Sequence, residues 1–236
     1  ITIEGETATL TAEVQDEVIQ GAQKASKNTD SEISVFVDTI APTVTLADDQ
    51  TGTTTDADAV VTYTATFSEA VTGFDINDLN VSGGTASNFA GSGTTYTFDV
   101  TATDNSTADI TVDIAGSAAI DANNNVSIVA TQATQAVDTT NPTVTGVVLS
   151  DSAIAEGDAS NTVTPTITFS EAMASGSTPV ITNNAGATLT AATNGQWTTA
   201  TTYTIDYTVA DANVELADIT FGVSAATDVA GNTQTA

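Results

Sequence analysis

Histidine, arginine and cysteine are absent from this 236-residue chain, and lysine occurs only at Lys24 and Lys27. Each absence removes a class of function. Without cysteine no disulfide can staple the fold. Without histidine or cysteine, zinc is a poor fit. Ser68 and Ser170, each followed by a glutamate, have no histidine or lysine base to activate them. No apolar run approaches the roughly 18 residues that would span a membrane as a helix. Aromatic residues make up 5% of the chain, too few for an extended sugar-stacking platform. An enzyme is therefore not expected.

Against these gaps stand thirty carboxylates and a formal net charge of −28. From Asn28 to Ala236 there is no basic side chain, so no acid in that stretch can form an intrachain salt bridge. A folded body so acidic repels itself and excludes nucleic acid as a partner. Cations from outside the polypeptide must neutralise it, and calcium, which takes six to eight oxygen ligands, suits such a chain best. Magnesium, which prefers to keep its waters, suits it less. The 40% hydrophobic content is too high for an acidic disordered tail. Ile1 is not an initiator residue, so the sequence reads as a piece of something longer.

The chain repeats itself. Asp38-Thr39-Ile40-Ala41-Pro42-Thr43-Val44-Thr45 returns as Asp138-Thr139-Thr140-Asn141-Pro142-Thr143-Val144-Thr145. Phe67-Ser68-Glu69-Ala70 returns as Phe169-Ser170-Glu171-Ala172. Tyr96–Thr101 returns as Tyr203–Thr208, and Asp121-Ala122-Asn123-Asn124-Asn125 as Asp228-Val229-Ala230-Gly231-Asn232. The matches keep their order, which predicts two homologous units of about 100 residues, the size of a seven-strand sandwich.

Alternation identifies strands. Val61, Tyr63, Ala65 and Phe67 share one face against Thr62, Thr64 and Thr66; Val163, Pro165, Ile167 and Phe169 repeat the pattern. Pro165 cannot donate to a ladder, which predicts an edge or a bulge there. Further strands are expected over 94–102, 109–114 and 127–137, with turns at Gly83-Gly84 and Gly91-Ser92-Gly93. No segment keeps a helical period. The expected fold is all-β, a tandem array of immunoglobulin-like β-sandwich domains. Residues 1–37 read as the C-terminal strands of a preceding unit, 38–138 as a whole domain, and 139–236 as a domain lacking its last strand.

The D-T-x-x-P-T-V-T starts, the F-S-E-A strand end, the segment Phe74-Asp75…Asp78-Leu79-Asn80-Val81 and the D-x-A-G-N loop resemble bacterial Ig-like repeats of giant cell-surface and biofilm adhesins. Asp211-Ala212-Asn213-Val214 and Gly231-Asn232 carry the same resemblance. It covers 38–236 well and 1–37 weakly, where Lys24-Ala25-Ser26-Lys27-Asn28 replaces an Asp-led loop. It implies a tandem array, secretion to the cell surface, and calcium at domain junctions. It does not imply catalysis.

Strand topology places the ion sites without the resemblance. Antiparallel strands run between two poles, the entry pole being where a unit's first strand begins. Asp38, Glu69, Asp75 and Asp121 are expected to converge at the entry pole of the first unit. Asp138, Glu171 and Asp228 are expected to converge in the second, with Asp104 reaching across from the first unit's exit pole. Asp48, Asp49, Asp56 and Asp58 could make an exit-pole site but read better as a solvated loop. These acids also suit ordinary turns. Trp197 reads as packing rather than a sugar platform.

Two functions compete. One is a non-catalytic, calcium-stiffened extender segment of a secreted adhesin or surface filament. The other is a carbohydrate- or ligand-binding accessory module. The expected partners are calcium ions and neighbouring repeats. Head-to-tail strand donation between molecules, with residues 31–37 completing another copy's second unit, stands as the alternative to continuation in the same chain.

Overall fold

The structure, a computed structural model, describes residues 38–151, 154–210 and 218–235. The expectations for residues 1–37, including strand donation from 31–37, lie outside the described residues. So does the Asp211–Val214 segment.

The fold among the described residues is all-β, with short 3-10 turns and no α-helix. In the first unit β1 (Val44–Asp48), β2 (Val60–Val71) and β4 (Gly84–Ala102) form one antiparallel sheet, in the order β1-β2-β4. β3 (Leu79–Ser82), β5 (Ile110–Ile114) and β6 (Ala133–Gln135) form the other, in the order β3-β5-β6. Period-two alternation on β2 sends Val61, Tyr63, Ala65 and Phe67 inward, where each is essentially inaccessible. Opposite them, β5 contributes Ile110, Val112 and Ile114, all fully buried. The threonines of β2 face outward, where β-branched side chains suit the pleated surface.

Aromatic packing consolidates this core. Tyr63 stacks on Phe98 with ring centroids 5.5 Å apart. Phe67, Phe74 and Tyr96 meet edge to face. Burial, helped by the nearby Asp48 and Asp49 carboxylates, pushes the Tyr63 hydroxyl up to about 12.

The second unit repeats the plan in shorter pieces. β7 (Val144–Leu149), β9 (Pro165–Phe169), β13 (Thr202–Thr204) and β12 (Gln196–Trp197) form a sheet in the order β12-β13-β9-β7. β8 (Thr162–Val163), β14 (Tyr207–Val209) and β11 (Leu189–Ala191) form a second. β10 (Val180–Asn183) and β15 (Phe221–Ser224) form a third. The run 162–169 breaks at Thr164, immediately before the proline that cannot donate. Pro165 nevertheless lies inside the sheet, opposite Leu149. The core splits into two clusters bridged by the half-buried Ile181 and Ile205.

Two expected details differ. Residues 127–137 do not form one strand: Ser127 donates to Ala119, Ile128 to Pro42 and Ala130 to Ile114. The segment spreads its N–H groups over three neighbours, and only Ala133–Gln135 keeps a ladder. Gly91-Ser92-Gly93 is not a turn between strands, because β4 runs through it. Positive φ at Gly91 and Gly93 bends the strand instead. At Gly91 any Cβ would sit 2.3 Å from the Thr95 carbonyl oxygen.

Phe98→Ala should cost the first unit about 3–5 kcal/mol, because a stacked, fully buried ring leaves a cavity. Val148→Ala, at a side chain 68% exposed, should stay within about 0.5 kcal/mol. Urea unfolding of each variant measures both; equal effects would contradict the core assignment.

Candidate metal centre

Two carboxylate groups form, one at the entry pole of each unit. Asp38, Glu69 and Asp121 bring oxygens within 4.8 Å of one another, and so do Asp138, Glu171 and Asp228. In each group the two residues from the linker and the strand end are half-buried and the loop aspartate is buried.

Local sequence builds these groups from three sides. The loop aspartate is fixed by its own turn. Asp121 Oδ1 accepts from the Asn123 and Asn125 N–H groups, both at 2.8 Å, and Oδ2 accepts from Asn125 Nδ2 at 2.7 Å. Asp228 Oδ1 accepts from Gly231 and Asn232, at 2.6 and 2.8 Å, and Oδ2 from Asn232 Nδ2 at 2.9 Å. The turn needs a positive φ one residue before that asparagine, supplied by Asn124 at 67° and Gly231 at 108°. Each amide then reaches the linker: Asn125 Nδ2 donates to the Asp38 carbonyl at 3.2 Å and Asn232 Nδ2 to the Asp138 carbonyl at 2.8 Å.

The serine of F-S-E-A supplies the third side. Ser68 Oγ accepts from Thr43 N–H at 3.0 Å, and Ser170 Oγ from Thr143 N–H at 3.0 Å. Backbone bonds from Ser68 to Thr43 and from Ser170 to Thr143, both 2.9 Å, close the pair. Each strap holds the glutamate segment against the strand that follows the linker aspartate. These hydroxyls are structural, and their repetition with the unit was the available signal.

Asp75 and Asp104 are not brought into either group. Asp75 caps the 3-10 turn Ile76–Asp78: its side chain accepts from Asn77 N–H while Asp78 accepts from the Asp75 N–H. That reciprocal cap occupies the carboxylate locally. Asp104 lies exposed in a turn. Its loop does reach the junction, but through backbone: Thr139 N–H donates to the Ser106 carbonyl at 2.9 Å, and Thr139 Oγ1 to the Thr103 carbonyl at 2.7 Å. Asp56, read as part of a solvated loop, instead meets the second unit, its N–H donating to Asn232 Oδ1 at 3.0 Å. Trp197 packs between Phe169 and Tyr203 and donates to the Ser177 carbonyl at 2.7 Å. Its ring is half-buried and packs against that core.

The donor set is all oxygen, as calcium requires. Glu171 supplies the test of fit: its Oε1 is buried and has no hydrogen-bond partner among the described residues. An unpartnered carboxylate oxygen beside two further carboxylates is a position whose unmet bond a cation would satisfy. At separations of this size each like-charge pair costs roughly 1 kcal/mol in water and about 3–4 kcal/mol at an effective dielectric near 20.

Titration behaviour follows the surroundings. Burial, then the Asp228 and Asp138 charges, pushes the Glu171 carboxyl up from its ordinary 4.5. Burial also acts against Asp121, but hydrogen bonds from the Asn125 side chain and the Asn125, Asn123 and Asn124 backbone outweigh it and hold that carboxyl below 3.8. The signs therefore oppose. A glutamate raised by folding contributes stability that is complete below 4.5 and lost as pH rises through its folded value. Asp121 contributes stability present above 3.8 and lost as pH falls through its folded value.

In chelator, Glu171→Gln should raise the melting temperature of the second unit at pH 7. It should also flatten the gain in stability otherwise seen as pH falls towards 4.5. Calorimetry across that range measures it. A lower melting temperature at pH 7 without metal would mean the carboxylate is not under repulsion.

No curated protein matches the chain. Residues 38–137, which hold the complete first copy of this arrangement, match the family model of a bacterial Ig-like domain.

Proposed function

We propose that this chain is a non-catalytic spacer of a secreted, repetitive surface protein, whose unit junctions are stiffened by calcium. One observation carries the reading. The same three-carboxylate group is built twice, at the same end of each unit, and the second copy includes Asp138 of the linker itself. A site that incorporates the linker controls how one unit follows the next.

Bound calcium would supply the positive charge that no described side chain provides. Asp38, Glu69 and Asp121 would hold it in the first unit, and Asp138, Glu171 and Asp228 in the second. The chain's own residues do the rest. The Asp-led loops fix two oxygens through Asn125 and Asn232. The serine straps fix the glutamates. Pro142, buried behind Asn141, restricts the linker's torsions. Bacterial Ig-like domains commonly serve as extracellular structural modules and typically carry no catalysis. No helix among the described residues is long and apolar enough to cross a membrane. Trp197, half-buried and held by Phe169, Tyr203 and the Ser177 carbonyl, is occupied in packing, which favours the spacer reading over a carbohydrate-binding one.

Isothermal calorimetry should find two calcium sites, and Asp121→Asn and Asp228→Asn should each remove one. At free calcium about a hundredfold above Kd, each site should add about 2.7 kcal/mol to the unit that carries it. In EDTA, small-angle scattering should report a broader, more flexible particle. No heat of binding, with melting indifferent to EDTA, would refute the proposal.

A further inference from the structure

The junction holds a contact that neither core requires. Asp56 opens the 3-10 turn Asp56–Asp58 at the exit pole of the first unit. Its N–H donates to Asn232 Oδ1 at 3.0 Å, and its carboxylate accepts from Asn141 Nδ2. One residue of the first unit is thus held by two amides of the second. The amide oxygen meets the donor and the amide nitrogen meets the acceptor, so a single aspartate is recognised at both of its polar groups.

The two copies of the repeat show what this contact changes. Asn125 and Asn232 make equivalent bonds to their own loops and linkers. Yet Asn232 is 2% exposed, whereas Asn125 is half-buried. The turn at Asp56 lies over Asn232. At the position of Asn141 the first unit carries Ala41, which has no donor for a carboxylate. The corresponding exit turn of the second unit is Glu156-Gly157-Asp158, opening on glutamate instead of aspartate. The poles are therefore not interchangeable.

We infer that Asn141 and Asn232 form a docking socket that reads an aspartate opening the exit turn of the preceding Ig-like unit, and that Asp56 is the residue read. The inference extends the spacer reading, on which its biological use rests. The contact itself needs no ion. Asn232 also joins the socket to the carboxylate group, since its Nδ2 holds both the Asp138 carbonyl and the Asp228 carboxylate. Docking and cation binding share one side chain, so each should favour the other.

The absence of cysteine makes the test direct. Thr66→Cys and Thr168→Cys place one spin label on an outward strand position of each unit, and electron-electron resonance reads the distance between them. In EDTA, Asp56→Ala and Asn141→Ala should each broaden the distance distribution about twofold, because a charge-assisted bond is lost. The double variant should be no broader than either single one. Asp56→Asn, which keeps an acceptor oxygen for Asn141 Nδ2 but removes the charge, should fall between. Asp56 is exposed and Asn141 half-buried, and circular dichroism checks that each variant folds. With calcium titrated into the unlabelled chain, Asp56→Ala should weaken the Asp138 group severalfold and leave the Asp38 group unchanged. Widths in EDTA equal to the parent's in both alanine variants would overturn the socket. If the parent binds no calcium, the ion-stiffened spacer falls, while the widths in EDTA still decide the docking.

Discussion

No described side chain carries a positive charge, and the arrangement of this protein's polar groups follows from that constraint. A carboxylate without a cation must take neutral donors. Asp99 accepts from Thr62 and Asn88, and Asp206 from Thr164 and Asn194. Asp113 accepts from Gln132, and Asp38 from Asn123. Threonine and asparagine do here what lysine and arginine do in most proteins. Most of these donors are short side chains brought in from other strands or loops, with fewer rotatable bonds than a lysine or arginine arm. At Asp206 the Thr164 and Asn194 bonds hold the carboxyl below its ordinary range despite burial.

The same economy makes the exceptions informative. The loop aspartates Asp121 and Asp228 are buried but have backbone and amide donors. Glu171 is different, because one of its oxygens is buried with no donor among the described residues. Strand geometry delivers it there: β9 ends at Phe169, the Ser170 strap fixes the next residue, and the glutamate side chain falls beside Asp138 and Asp228. Nothing local relieves it. Its neighbours in sequence, Phe169 and Met173, belong to a buried cluster with Ile167, Tyr203 and Ala226. Thr54 Oγ1, Tyr63 Oη and Gln234 Oε1 are likewise buried without a partner among the described residues, but Glu171 is the carboxylate of the four.

Much of this was legible in the sequence, for identifiable reasons. Period-two alternation on β2 requires only that one face be buried, and Val61 to Phe67 display it without interruption. The convergence of Asp38 with Glu69 and Asp121 follows from strand direction alone, since antiparallel strands return to the pole they left. What was hidden depends on angles that spacing does not carry. Asp75 was expected at the same pole, but its carboxylate caps the turn that follows, accepting from the Asn77 N–H and side-chain amide. Asp104 reached the right junction, but its backbone made the contact. Gly91 and Gly93 read as a turn because positive φ suits turns, yet it equally suits a bend within one strand. Asp56 was passed over because a run of aspartates in a loop looks solvated, and only the fold places Asn232 against it.

An amide socket also solves a problem specific to so acidic a chain. A salt bridge between units would need a cationic side chain, which the described units lack. A carboxylate-to-carboxylate approach would be repulsive without an ion. Paired asparagines avoid both, because an amide offers donor and acceptor without adding charge. Such a contact is weakly sensitive to salt, whereas repulsion between the acidic poles is screened over about 8 Å at physiological ionic strength. The two terms therefore respond differently to the surroundings. Hydrogen bonds through Thr139, Asn141 and Asn232 set the direction in which the second unit leaves the first. The charge of the Asp138 group sets how strongly that direction is opposed. Neutralising the group removes the opposition without altering the direction, because the amides that define it are already bonded. On the reading proposed above, an ion bound at the Asp138 group would tighten an orientation that these hydrogen bonds already set.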